Sequence, residues 1–439
     1  MKTIIATVLT LVLAVPAWAE IRIQEVTSPG GITAWLVEDH SIPFTALELR
    51  FRGGTSLDQP DRRGATYLMT ALLEEGAAER DAQDYARALE ALAGSIGYSA
   101  STDQVSVSAR FLTENRDQVV DLMGEALLQP RFDPDAIERV KRQILSGLRS
   151  DEKDPNAIAG LTFRQMTYGD HPYASDGKGT IDSVTALTRD DLLTAHQGAL
   201  ALDRLYVGAA GDITPQELGV LLDDLLGDLP ATGAAIPGPA QISFDQGVTV
   251  VPFETPQSVA IFGQPGIDRD DEDFFAAYIL NNILGAGGFD SRLMEEVRRK
   301  RGLTYGVYSY LVSRDLANVY MGSVASSNDK VAQAIDVIRD EWQRMHDQGV
   351  TEQELQDSKT YLTGAYPLRF SGNAQIAGIL SSMQMEGLPI DYIATRNDKV
   401  NAVTMDDINR VAAELLDPDS LRFVVVGQPQ GLDAAESDG

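Results

Sequence analysis

The chain has 439 residues, 44% of them hydrophobic and 23% charged, enough for two or three globular domains with sizeable cores. Its formal charge of −29 excludes a broad phosphate-binding face, so nucleic acid is not an expected partner. The absence of cysteine rules out disulfides and thiolate chemistry, and the four histidines, His40, His171, His196 and His346, never stand four apart as a helical zinc pair would.

Residues 1–19, MKTIIATVLTLVLAVPAWA, place Lys2 ahead of an apolar run from Ile4 to Val15, followed by Ala17-Trp18-Ala19. That is the pattern of a cleavable secretory signal, which predicts a mature start at Glu20 and a periplasmic or secreted protein. No later stretch offers the roughly 20 uncharged apolar residues of a membrane helix, so no membrane insertion is expected. Next, ALELRFRGG alternates apolar and polar residues as a half-buried strand. GATYLMTALLEEG, Gly64 to Gly76, reads as the helix that follows it. In GDHPYASDG, His171 stands alone before Pro172 in a loop and is expected to be structural or on the surface.

LPATGAAIPGPAQ, Leu229 to Gln241, is rich in Pro, Gly and Ala and uncharged, and so reads as a linker. It places a linker at 230–240 between an N-terminal domain of 20–229 and a C-terminal domain of 241–430, with 431–439 as a flexible tail. The second half repeats the order of the first. SVAIFGQPG is again a strand and DEDFFAAYILNNIL again a helix. FDPDAIERVKRQI is answered by VTEQELQDSKTYL, with Lys141 matching Lys359, and VTALTRDDLL by VNAVTMDDIN at nearly the same offset. This is the mark of a duplicated unit of domain size. The expected fold class is α+β, with two homologous domains, each an antiparallel-rich sheet carrying helices.

Four strings, EEGAAERDAQDYARALEALAGSIGYSAS, FDPDAIERVKRQILSGLRSDEKDP, HPYASDGKGTIDSVTALTRDDL and LGAGGFDSRLMEEVRRKRGLTYGVYS, together resemble the M16 family of zinc peptidases, of the pitrilysin or mitochondrial-processing-peptidase type. The resemblance spans essentially the whole chain after residue 19. Active members carry H-x-x-E-H on the first helix, two His gripping zinc and the Glu activating its water, with a second Glu about 75 residues on. Here those positions fall on Tyr67, Thr70, Ala71 and, at or beside it, Gly147, none of which is a zinc ligand or a base. Glu74 and Glu75 lie about a turn beyond the ligand positions and are not expected to replace them.

The resemblance also implies an Arg and, seven residues on, a Tyr that reach the substrate beside zinc, and VRRKRGLTY matches at Arg298 and Tyr305. SRLMEEVRRK reads as an amphipathic helix with basic residues in its last turn, Gly302 as its C-cap, and TYGVYSYLV as a strand. The alternative is that Arg298 caps its helix and Tyr305 packs on the sheet. Gly285, Gly287 and Gly288 match a glycine-rich loop that contacts substrate in the family, although glycines at a turn between helices serve equally well for backbone reasons. These readings imply a chain without its own metal or cofactor. It would pair with a catalytic M16 subunit that carries H-x-x-E-H and zinc, and act on peptides or unfolded segments. A proteolytically inactive structural or peptide-binding protein of the same fold is the alternative.

Overall fold

The computed structural model describes residues 21–244 and 247–432; the expected signal segment and nearly all of the expected tail lie outside them. The first half contributes β1 (Gln24–Thr27), β2 (Thr33–Glu38), β3 (Phe44–Arg52), the small hairpin β4 (Gly76–Ala77) and β5 (Arg80–Asp81), β6 (Ser95–Ala100), β7 (Gln104–Leu112) and β8 (Leu205–Gly211). Between them run α1 (Ala65–Ala71), α2 (Ala82–Ala91), α3 (Arg116–Leu128), α4 (Pro134–Asp151), α5 (Pro155–Tyr168), α6 (Ile181–Ala186) and α7 (Arg189–Ala199), with α8 (Pro215–Leu226) after them. The second half contributes β9 (Gly247–Pro252), β10 (Gln257–Pro265), α9 (Phe274–Asn281), β11 (Val307–Ser313), β12 (Asn318–Ser327), α10 (Val331–Gln348), α11 (Glu352–Ala365), α12 (Asn373–Met385), α13 (Tyr392–Ala402), α14 (Met405–Leu415) and β13 (Arg422–Gly427).

The first sheet has the order β1-β2-β8-β3-β7-β6 and the second β11-β12-β10-β13-β9. Read from the opposite edge, the second matches the first strand for strand, lacking only a counterpart of β1. Each sheet is antiparallel except for one pair, β2 with β8 and β9 with β13. Each has its own apolar core, built on Leu47, Leu49 and Phe51 of β3 in one half and on Ala260 and Phe262 of β10 in the other.

The duplication extends to single hydrogen bonds. Lys141 on α4 donates to the carbonyl oxygens of Thr185 at 3.2 Å and Leu187 at 2.5 Å. Lys359 on α11 donates to those of Asn401 at 2.9 Å and of Val403. In both halves an ammonium thus satisfies carbonyls left unpaired where a helix ends, α6 in one and α13 in the other. The helices that follow also start alike, with capping boxes of Thr188 with Asp191 and Thr404 with Asp407.

The halves also exchange a helix. α5 packs on β10 and β13 of the second sheet, while α12 packs on β2, β3 and β8 of the first. A strand glycine admits each visitor: a Cβ at Gly208 would stand 2.1 Å from the Ala377 carbonyl oxygen, and one at Gly263 would stand 2.8 Å from the Phe163 ring. Each sheet therefore has its own helices on one face and a helix of the other half on the second.

Candidate functional site

In the first half, Asp58 prepares the start of α1. Its carboxylate accepts from the Gly64 N–H at 2.8 Å, the Thr66 N–H at 3.0 Å and the Thr66 hydroxyl at 2.6 Å, so the first turn of the helix is capped from a distance. Burial pushes the Asp58 carboxyl up to about 6, against the pull of those donors. The helix ends at Ala71, sooner than GATYLMTALLEEG suggests. Glu74 and Glu75 follow in the turn before Gly76, where Gly76 has φ +116°.

At the motif positions the side chains are engaged in packing. Tyr67 and Ala71 lie against the first core. Thr70 is buried, and its hydroxyl donates back to the Thr66 carbonyl at 2.8 Å. Gly147 lies on an exposed stretch of α4, with nothing within 4 Å of where a Cβ would be. Glu75 is paired with Arg139 of α4, and the neighbouring Glu74 carboxyl is raised by burial and then by the charge of Glu75. One turn beyond Gly147, Asp151 binds the Lys178 ammonium at 2.7 Å; this hydrogen bond, with a smaller contribution from Tyr67, holds the Lys178 pKa above its ordinary value. A protein-borne cation thus stands beside the altered motif. A phenol, a hydroxyl, a methyl and a glycine do not make a zinc site. Among the described residues no three His, Cys, Asp or Glu side chains converge to hold a metal.

The second half is built differently at the corresponding place. After α9 the backbone continues as a π-helix over Asn282–Ala286, and Met294–Arg299 is π-helical as well, so SRLMEEVRRK is a wider helix than its periodicity predicts. The glycines between them have separate tasks. A Cβ on Gly285 would meet Ser309 of β11 at 2.3 Å, and one on Gly287 would meet the Asn282 carbonyl at 2.6 Å. Only Gly288 of the three needs a positive φ, +62°.

Arg298 closes the second π-helical segment. Its guanidinium lies 4.8 Å from the centre of the Phe289 ring, and among the described residues it has no carboxylate partner within ion-pair distance. The charges around it are already matched. Buried Glu296 binds Lys300 at 2.7 Å and Arg301 at 2.6 Å, and Arg292 binds Glu354 at 2.6 Å. Burial alone would raise Glu296, but Lys300, Arg301 and Arg344 hold its carboxyl at about 2. Burial opposes Arg292 and Thr351 in the same way at Glu354, and again the carboxyl stays at about 2.

Gly302 ends the helix at φ +62°, donating to the Arg298 carbonyl at 2.9 Å, while Leu303 donates to that of Val297 at 3.0 Å. Tyr305 does not belong to a strand, as TYGVYSYLV suggests, because β11 begins at Val307. Thr304 accepts from the Gly306 N–H at 3.0 Å and lies 2.6 Å from the Ala325 carbonyl, fastening a turn that projects Tyr305 outward. The Tyr305 ring is 82% exposed, so it does not pack on the sheet. No hydrogen bond joins Arg298 to Tyr305 among the described residues. Thr304 and Phe289, which hold the pair in place, were not singled out from the sequence; the Thr-x-Gly of a side-chain-closed turn was the available signal.

His171 is a tether. Its Nδ1 accepts from the Tyr173 N–H at 3.2 Å, which leaves Nε2 to donate to the Gly238 carbonyl in the segment between the sheets at 3.0 Å. No described helix is long and apolar enough to cross a membrane.

Comparison with known proteins agrees with this arrangement. Residues 34–176 match the family Insulinase (Peptidase family M16), and residues 186–362 match the Peptidase M16 inactive domain. A crystal structure of a peptidase M16 inactive domain from Pseudomonas fluorescens superposes with a TM-score of 0.87 at 30% identity, covering 93% of this chain and 98% of that one. The non-peptidase homolog YmxG of Helicobacter pylori is 29% identical over 89% of this chain and 90% of its own length. A protease from Helicobacter pylori, 17% identical, shares the fold with a TM-score of 0.83 over 92% of this chain and 99% of that one. The altered motif on α1, the duplicated sheets and these matches lead to one conclusion: the chain belongs to the M16 peptidase family, as a non-catalytic member without a zinc site of its own.

Proposed function

We propose that this chain is the non-catalytic subunit of a two-chain zinc peptidase, exported to the periplasm or outside the cell. Its partner is an M16 subunit carrying zinc on an intact H-x-x-E-H helix, and the pair encloses a chamber in which peptides or unfolded segments are cut. To that chamber this chain brings one wall and the pair Arg298 and Tyr305. The observation that carries the reading is the exposure of Tyr305. An aromatic ring held 82% exposed by a closed turn offers its hydroxyl to something outside the chain.

The chemistry suits that role. A phenol can donate to a carbonyl oxygen as it gains charge during attack by metal-bound water. A guanidinium free of carboxylates can hold a neighbouring peptide carbonyl in register. Purification of the chain from its native source tests the reading. An H-x-x-E-H protein should travel with it, and peptide hydrolysis should follow the two-chain fraction and not the isolated chain. A chain that purifies alone, with no hydrolysis restored by any M16 subunit of the same cell, would favour a structural or peptide-binding protein.

A further inference from the structure

A large cleft lies away from Arg298 and Tyr305. It has a volume of about 1140 Å³ and sits where α12 crosses onto the first sheet, with β3 on one wall and α9, the end of β11 and α13 on the other. In a chain of 36 basic and 65 acidic residues its lining inverts the balance, with six arginines facing four carboxylates. Several of these arginines lack an acid. Arg396 is only 4% exposed, yet it is met by the Leu362 carbonyl and the Asn397 side chain at 2.9 Å and by the rings of Tyr366 and Tyr278 at 4.5 and 5.5 Å. Arg314 has a buried Nη1 with no hydrogen-bond partner. Arg369 is exposed, and among the described residues it has no ion-pair partner.

A buried guanidinium without a carboxylate is costly, and an incoming carboxylate would relieve that cost through charge-assisted hydrogen bonds. The cleft is larger than the 300–1,000 Å³ typical of a drug-sized ligand, and the rings of Phe274, Tyr310 and Phe370 line it beside the arginines. Charge and rings together in a cleft of this volume suit a chain of residues better than a lone small anion.

We propose that this cleft binds an acidic segment of peptide, with carboxylates at Arg314, Arg369 and Arg396 and apolar side chains on the rings. The inference rests on the proposed function where it concerns substrates. β11 runs from just beyond Tyr305 to the cleft, and Tyr308 and Tyr310 alternate on its exposed side. Five residues separate Tyr305 from Tyr310, the first of them in the Thr304 turn, so the two lie at most roughly 17 Å apart.

Two fluorescein-labelled decapeptides test this, one containing three Glu and two Phe and the other with Gln in place of each Glu. Polarisation titrations on the isolated chain at 0.15 M salt should show the Glu peptide binding about tenfold tighter or better. Arg369→Glu, at an exposed site with no ion pair among the described residues, should remove that preference without changing the melting temperature, and Arg369→Gln should weaken it. Tyr305→Phe should leave it intact. Equal affinity for both peptides, or a preference that survives Arg369→Glu, overturns the proposal. If the chain binds the Glu peptide selectively while the two-chain form proves unable to hydrolyse peptides, the cleft stands and the proposed function fails. If hydrolysis is found without selectivity, the reverse holds.

Discussion

The α1 region of the first half and the 282–305 segment of the second occupy comparable places on duplicated sheets, yet they have been treated in opposite ways. Around α1 three polar groups at or beside the motif have local partners: Thr70 with its own helix, Glu75 with Arg139, and Asp151 with Lys178. In the second half the acids are neutralised by Lys300, Arg301 and Arg292, while Tyr305 faces outward and half-buried Arg298 has no acidic partner among the described residues. Polar groups that a fold has satisfied are part of its scaffold. Those it supports but leaves unpaired are where contact with a second molecule is to be tested.

The strongest way to break this contrast is to remove one oxygen. In a reconstituted pair, Tyr305→Phe should lower turnover by roughly 10²- to 10³-fold, as for other oxyanion donors, with assembly unchanged by gel filtration. Unaltered turnover would make the tyrosine an ornament of the fold. Arg298→Ala should also cut activity, with weaker substrate binding, by about tenfold or more, read from kcat and KM separately. Thr70→Ala, on the other side of the contrast, should leave turnover alone.

A stability test comes next. Gly208→Val forces a side chain against the Ala377 carbonyl and should cost about 1–3 kcal/mol, measured by urea unfolding, because α12 cannot retreat without uncovering the first sheet. A smaller effect separates the halves by pH. Glu296 and Glu354, held at about 2 against an ordinary 4.5, stabilise the second half above pH 4.5, and that contribution is lost as pH falls toward 2. Asp58, raised from 3.8 to about 6, does the reverse. Its contribution is present below about pH 3.8 and is lost as pH rises through 6. Amide exchange corrected for intrinsic rates should show α1 better protected at pH 5 than at pH 8, and the 291–300 segment better protected at pH 5 than at pH 3. The smallest expected effect is that of a chelator, which should leave the melting temperature of the purified chain unmoved; stoichiometric zinc involving Tyr67 or Glu74 would undo the account of α1.

Much of the architecture could be read from local pattern. The duplication was legible because Lys141 and Lys359, and the Thr-x-x-Asp caps at 188 and 404, are short-range devices whose geometry is written within a few residues. The altered α1 motif was legible for the same reason. The setting of Tyr305 was not. Strict alternation along TYGVYSYLV puts Tyr305 in phase with buried Val307 and Ser309, and only the Thr304 turn breaks that phase and turns the ring outward. The exchange of α5 and α12 was equally hidden, since an amphipathic face does not say which sheet it covers. Gly208 and Gly263 were its only local trace, as glycines inside strands. The arginine cleft joins residues from positions 50 to 396, which no window of sequence brings together.

The helix exchange also limits how the molecule can move. Swinging one half away from the other would strip α12 from the first sheet and α5 from the second at once, so a hinge within the chain would have to break two cores before it turned. The chain therefore moves as a single jaw. If it encloses a substrate with a second chain, the mouth opens along the seam between the two chains, and the linker between the halves acts as a strap and not as a joint.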